Sequence, residues 1–297
     1  MNAERLLALF ERVANAPDAI LKLRQLILNL AVRGRLVQFD PMDEPAAKIL
    51  EIAGIKRLAL SKEKKNRLPK PLLPITSNEF LFEAPDWWEW CHLDSVCAIV
   101  GGVTKGRKLD NRKTDEYPYL RVANVQAGYV DLSVIKTIEI PIDELETYQL
   151  KFGDILLTEG GDWDKLGRSA VWQDQIQPCI HQNHIFRARS LTNLLNPYWI
   201  SLFTNSPIGR AYFQDCSKKT TNLASINMRQ LRHCPLPIPP AHEQTRILSR
   251  VDELMALCDQ LDTAIETRRT TTTRLLDALI AEALADNADP ATVEQQT

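Results

Sequence analysis

The sequence has 297 residues, 44% hydrophobic and 25% charged, with 36 Lys and Arg against 38 Asp and Glu and a formal net charge of −2. This is the balance of a soluble chain with one large or two modest domains. It excludes a uniformly basic surface, so any nucleic-acid-binding surface must be a local patch. No apolar run approaches the ~20 residues that cross a bilayer. Six cysteines without a C-x-x-C pair predict reduced thiols, and a cytoplasmic location is expected. The amphipathic N-terminus carries Glu4 and Glu11, which argues against a transit peptide.

In chain order, residues 3–14 and 18–33 read as two helices separated by Asn15 and Pro17, the second ending at Gly34, a favourable residue just past a helix end. Residues 45–60 suggest another short helix. The N-terminal helical region is therefore placed at 1–60, followed by a basic, proline-rich linker at 61–85 that reads as a solvated tether. Trp87, Trp88 and Trp90 open a different texture. Runs such as SVCAIVGG, YPYLRVANV, GDILLTE and HIFRARS predict a strand-rich domain over 86–240, closed by the proline-rich PLPIPP. The fold class expected is α/β (α+β): one strand-rich recognition domain flanked by N-terminal helices and a long C-terminal coiled-coil helix.

That helix is expected over 241–285, with a frayed polar tail at 286–297. Its apolar positions alternate steps of four and three. As heptads, Val251, Cys258, Ile265, Thr272 and Leu279 fall at a, and Ile247, Leu254, Leu261, Arg268 and Leu275 at d. A seam this long signals a coiled coil, and Ile247, Val251, Leu254, Leu261, Ile265, Leu275 and Leu279 are the candidate dimerisation or partner residues. Burial of the helix against its own chain is the competing reading. At roughly 40 residues the rod would be about 60 Å long.

Two polar basic loops stand out as candidate DNA contacts. The first holds Thr104, Lys105, Arg107, Lys108, Asn111, Arg112 and Lys113, with five bases against the single acid Asp110. The second carries Lys218, Lys219 and Thr220 among hydroxyls and amides. Lysine and arginine would hold phosphates, while Thr and Asn can reach base edges. A merely solvated charged loop is the plainer alternative for each. Catalytic signatures are scarce: there is no Gly-rich cofactor loop and no Walker loop. Asn196-Pro197-Tyr198 resembles the Asn-Pro-Pro-Tyr of amino-methyltransferases but lacks the second proline, so it is rejected. Cys179, His181 and His184 have no fourth ligand nearby and are not read as a metal site. Gln182, Asn183 and His184 fit polar groups near a recognition surface, or ordinary strand ends. Glu159 and Asp162 lack a paired base. These residues favour a binding module over an enzyme.

The runs GDIL (153–156), LGRSAV (166–171), QNHIFR (182–187), SIN (225–227) and PLPIPPAHEQTRILSRVDELMALCDQL (235–261) resemble the DNA-specificity subunit of type I restriction–modification systems. LRQLILNLAVRGRLVQFDPMDEPAAKIL (23–50) resembles that family's N-terminal segment. The resemblance implies a target-recognition domain followed by a helical spacer. It also implies a non-catalytic subunit that brings methyltransferase subunits, and through them the restriction subunit, to a bipartite site on double-stranded DNA. No cofactor is then expected on this chain; S-adenosylmethionine and ATP belong to partner subunits. Family members usually carry two recognition domains, and this chain has room for one, so it resembles a half-size form. Such a form can pair with itself or with a different half subunit, or be half of a split gene. The a and d residues suit a parallel pair, whereas the resemblance implies antiparallel helices. The rival reading from another class is a coiled-coil scaffold whose domain binds protein or peptide.

Overall fold

The computed structural model describes residues 18–62, 68–109, 112–161, 163–219 and 224–286. The expected helix at 3–14 lies outside them. The chain divides into two compact units: Gln25–Val251, and a smaller one whose described residues are 18–24 and 252–286. Helix α1 is Ala19–Val32 and α2 is Ala47–Ser61. Past α1, Gly34 has φ +67°, its N–H donates to the Ala31 carbonyl and Arg35 N–H reaches the Leu30 carbonyl. That is a Schellman-type ending, which needs a left-handed residue.

The larger unit continues with β1 (Glu89–His92), the single turn α3 (Leu93–Val96), β2 (Cys97–Gly101), β3 (Thr114–Leu120) and β4 (Lys136–Pro141). Next come α4 (Leu145–Tyr148), β5 (Ile155–Thr158), β6 (Gly160–Gly161), β7 (Ser169–Val171), β8 (Ile180–His181) and β9 (Ile185–Ser190). Helices α5 (Pro197–Asn205) and α6 (Pro207–Cys216) lead to β10 (Lys218–Lys219), β11 (Ala224–Ser225), α7 (Met228–Arg232) and β12 (Pro235–Ile238). The last element is α8, 46 residues from Ala241 to Asp286.

Four small sheets result. β2-β9-β5-β7 is antiparallel throughout, and β4-β3-β8 joins β3 to β8 in parallel. β10-β11-β6 and β1-β12 complete the set. Leu120, Leu156, Ala170, Trp172, Cys179 and Ile185 pack as one core, and Val103, Tyr117, Tyr119, Ile140 and Ile180 as a second. The mixed class expected from the sequence is observed. Among the described residues no helix is long and apolar enough to cross a membrane. All six cysteines are free thiols, with Cys179 pushed up to about 12 by burial.

Three local features differ from or add to the sequence reading. The stretch 179–186 is no continuous strand: β8 stops at His181, and Gln182–His184 turn back into β9. Two helices, α5 and α6, occupy what read as strand and loop. Asn196 and Ser206 accept N–H bonds from Tyr198 and Gly209, and Pro197 and Pro207 sit in the first turns. Proline there forfeits no helical hydrogen bond. Asn196-Pro197-Tyr198 is thus a helix cap. Finally, PLPIPP contains β12, which pairs with β1 in register Glu89 to Ile238.

Candidate nucleic-acid interface

The segments that carry the family resemblance are mostly structural. Asp154, fully buried, accepts from Lys151 N–H and takes two bonds from Arg189 at 2.6 and 2.7 Å. Arg187 donates to the carbonyls of Thr147 and Gln149 at the end of α4. Burial, with Arg189 nearby, lowers its guanidinium to about 10. Asn227 and Gln230 form a capping box on α7. At the start of α8, Glu243 accepts indole N–H bonds from Trp87 (2.9 Å) and Trp88 (3.1 Å). Its burial raises the carboxyl pKa. Gln244 accepts from Asn196 N–H and donates to Pro239. The Glu-Gln pair therefore latches the helix to the rest of the larger unit.

A second latch holds the N-terminal helices. Asp94, buried in α3, pairs with Arg57 of α2 at 2.7 Å and with Arg232 of α7 at 2.8 and 2.9 Å. Arg57 also donates to the Pro69 carbonyl and Arg232 to that of Lys70, so the same cluster pins the linker at 69–70.

Both basic loops are anchored, through neighbouring residues, to the Gln182–His184 turn. Val103, the residue before the first loop, donates to the His181 carbonyl and accepts from Asn183 N–H. Gly102 packs so closely there that a Cβ would overlap the carbonyl oxygens of His181 and Gln182. On the other side of the turn, the His184 carbonyl accepts from Glu159 N–H, and the Glu159 carbonyl accepts from Ile226 N–H. Ile226 follows β11, whose Ser225 pairs with Lys218 of β10 and with Gly160 of β6. Backbone hydrogen bonds thus connect Val103, which precedes Thr104–Lys105, and β11, which pairs with Lys218, to the Gln182–His184 turn. Gly160 is required at this junction, because a Cβ would collide with the Ala224 carbonyl.

Within the first loop, the bases differ in role. Arg107 pairs with Glu144, and Arg112 forks onto Asp143 at 2.6 Å and Glu144 at 2.6 Å. These contacts tie the loop to residues 143–144 and offset part of its positive charge. Thr104, Lys105, Lys108 and Lys113 are exposed, as is Lys218. Lys219 lies in β10; Asn111 and Thr220 fall outside the described residues. Cys179, His181 and His184 do not converge. His181 is buried with Nδ1 2.9 Å from the Ile185 carbonyl, whereas His184 is exposed with Nδ1 2.5 Å from a Glu159 carboxylate oxygen.

The seam residues of α8 also separate. Ile247 and Val251 are 0% and 5% exposed within the larger unit, so they serve this chain's own core. The expectation that the intermolecular seam begins at Ile247 is corrected accordingly. In the smaller unit Leu254, Leu261 and Ile265 are half-buried, while Leu275 and Leu279 are both 61% exposed. Arg24 of α1 pairs with Asp259 at 2.5 Å in this unit. The threonine run of α8 satisfies its own hydroxyls: Thr270, Thr271 and Thr273 donate to carbonyls four residues back.

The pairing of Glu159 with His184 was invisible in the sequence, where the two are 25 positions apart. The only signal was the density of hydrogen-bonding side chains at 182–184.

Comparison of the sequence with known proteins points to one family. The EcoEI type I restriction enzyme specificity subunit of Escherichia coli is 29% identical over 95% of this chain and 48% of that protein. The EcoAI specificity subunit of Escherichia coli is 30% identical over 93% of this chain and 46% of that protein. The chain therefore spans about half the length of these relatives. The solved HsdS subunit from Thermoanaerobacter tengcongensis aligns over 94% of this chain and 57% of its own, at 16% identity and a TM-score of 0.46. The family model for the type I restriction modification DNA specificity domain matches residues 85–268, from the tryptophan cluster into the long helix, and the chain belongs to that family.

Proposed function

We propose that this chain is the DNA-reading subunit of a type I restriction–modification complex and acts as a half-size specificity subunit. The observation that carries the reading is the run of backbone hydrogen bonds that brings both basic loops to one polar turn. Lysines on two flanks hold the phosphates on either side of a groove, and the turn between them meets the base edges. The proposed DNA contacts remain Thr104, Lys105, Lys108 and Lys113 on one flank and Lys218, Lys219 and Thr220 on the other. Arg107 and Arg112 position the first loop through Asp143 and Glu144.

The chain carries no chemistry of its own in this account. Methyl transfer and cleavage, with S-adenosylmethionine and ATP, reside on the methyltransferase and restriction subunits it recruits. Two chains pair through the exposed apolar face of α8, formed by Leu275, Leu276, Leu279, Ile280 and Leu284. Antiparallel pairing would set two recognition domains on an inverted, interrupted site, because a two-fold protein reads a two-fold target.

The test combines binding to random duplex DNA at two salt concentrations with light scattering. A steep fall of affinity with salt and the mass of a dimer are expected. Salt-independent binding would refute the phosphate contacts, and a monomer at micromolar concentration would refute the pairing.

A further inference from the structure

Arg107 and Arg112 are held by neighbouring carboxylates in different ways. The β3–β4 ladder runs from Tyr119 opposite Lys136 to Thr114 opposite Pro141, and the Ile142 N–H carries it one bond further, to the Lys113 carbonyl. The next residues in that register are Arg112 and Asp143, so the ladder itself sets these two across from each other. Cross-strand neighbours of opposite charge attract. One Arg112 guanidinium nitrogen reaches both Asp143 carboxylate oxygens, at 2.7 and 2.6 Å, and the other reaches Glu144 at 2.6 Å. The Asp143 side chain is 71% exposed and that of Arg112 41%. Glu144, by contrast, is 19% exposed and shared with Arg107, which is 28% exposed. Arg107 with Glu144 is therefore a partly buried tie, and Arg112 with Asp143 an open one.

An open ion pair is held only weakly, because water solvates both charges and the paired side chains lose freedom. A guanidinium released from such a pair fits the oxygens of a phosphate as well as those of a carboxylate. Resting on the DNA-specificity reading above, we infer that Arg112 is a phosphate contact that Asp143 masks in the free chain. On duplex DNA the Arg112 guanidinium passes from the Asp143 carboxylate to a backbone phosphate. The Arg107–Glu144 tie stays in place and keeps the loop on residues 143–144 while the exchange occurs. Lys105, Lys108 and Lys113 are exposed and meet phosphates directly. Arg112 must first give up a carboxylate. The loop therefore carries less net charge in the free chain than its count of bases, and it recovers one more cation only on a duplex that competes for it. Asp143 thus lowers affinity for DNA although it lies in no contact with it.

The experiment is a double-variant cycle on the purified full-length chain, with affinity for random duplex DNA read by fluorescence anisotropy over a series of salt concentrations. Asp143→Asn keeps the size of the side chain and removes its charge. It is expected to raise affinity by about 2- to 5-fold, the span an exposed ion pair covers. Arg112→Ala is expected to lower affinity and to flatten the log–log salt slope by about one. Arg112→Lys keeps the charge and is expected to restore the slope, which a residue that merely props the loop would not do. Asp143→Asn placed on Arg112→Ala is expected to have little effect, because the cation it would unmask is gone. A fall in affinity for Asp143→Asn, a rise that persists undiminished without Arg112, or an unchanged slope in Arg112→Ala would each overturn the inference. Salt-independent binding by the wild type would overturn the DNA reading itself, a distinct failure.

Discussion

Asp94→Ala tests how α2 is held to the rest of the larger unit. The carboxylate is 2% exposed and receives three charged hydrogen bonds, one from Arg57 and two from Arg232. Arg57 is itself only 4% exposed. Removing the carboxylate leaves its guanidinium buried with two carbonyl partners, those of Asp94 and Pro69. Breaking a buried pair by deleting one partner costs about 3–5 kcal/mol, since the remaining charge stays desolvated. Against a total stability of about 5–15 kcal/mol this is a large fraction. At about 2–4 °C per kcal/mol for a unit of this size, the melting temperature should fall by about 6–20 °C. Urea and thermal unfolding followed by circular dichroism would measure it. Asp94→Leu combined with Arg57→Met should recover part of the loss, because the buried guanidinium goes with its partner and only the half-buried Arg232, which keeps its bond to the Lys70 carbonyl, loses a carboxylate. A loss under about 1 kcal/mol for Asp94→Ala, or no recovery in the double variant, would refute the argument.

Three further outcomes follow. His181 is held down to about 3 by burial, with Arg187 adding to the effect, against 6.5 in the unfolded chain. The stability it contributes is complete above 6.5 and is lost as pH falls towards 3. Urea midpoints should therefore show roughly 2 kcal/mol less stability at pH 5 than at pH 7, an increment that His181→Gln abolishes. The comparison with the variant separates this from Glu243, whose raised carboxyl has the opposite slope, favouring the folded state as pH falls. Replacing Lys105 and Lys108 by alanine should weaken binding to all duplexes and flatten the salt slope by about two, measured by fluorescence anisotropy. Leu279→Asp, at an exposed apolar position of α8, should yield monomers by light scattering while leaving the melting temperature within about 2 °C.

Much of the scaffold was legible because its signals are local. Gly34 after a near-continuous apolar stretch marks the end of α1, and the proline-free run after Pro240 marks α8. Helices α5 and α6 are not expected from the strand-like runs on either side, yet Pro197 and Pro207, capped by Asn196 and Ser206, initiate them.

The candidate site was harder to read, because its parts are joined only by tertiary contacts. Charge counting marked the 104–113 loop but could not show that Glu144 and Asp143 engage Arg107 and Arg112. Nor could periodicity show which seam residues of α8 are already covered. Ile247 and Leu279 look equivalent in the heptad, yet one is in the core and the other faces solvent. The family segments drew attention to residues such as Asp154, Arg187 and Gln244, which hold the domain together.

The most direct test of the DNA-specificity account is the pattern of methylated bases in the native host, mapped by single-molecule sequencing with and without this gene. The account predicts that one interrupted motif, methylated in the parent, disappears on deletion and returns when the gene is restored. An unchanged methylation pattern, or loss of a short uninterrupted motif, would contradict it.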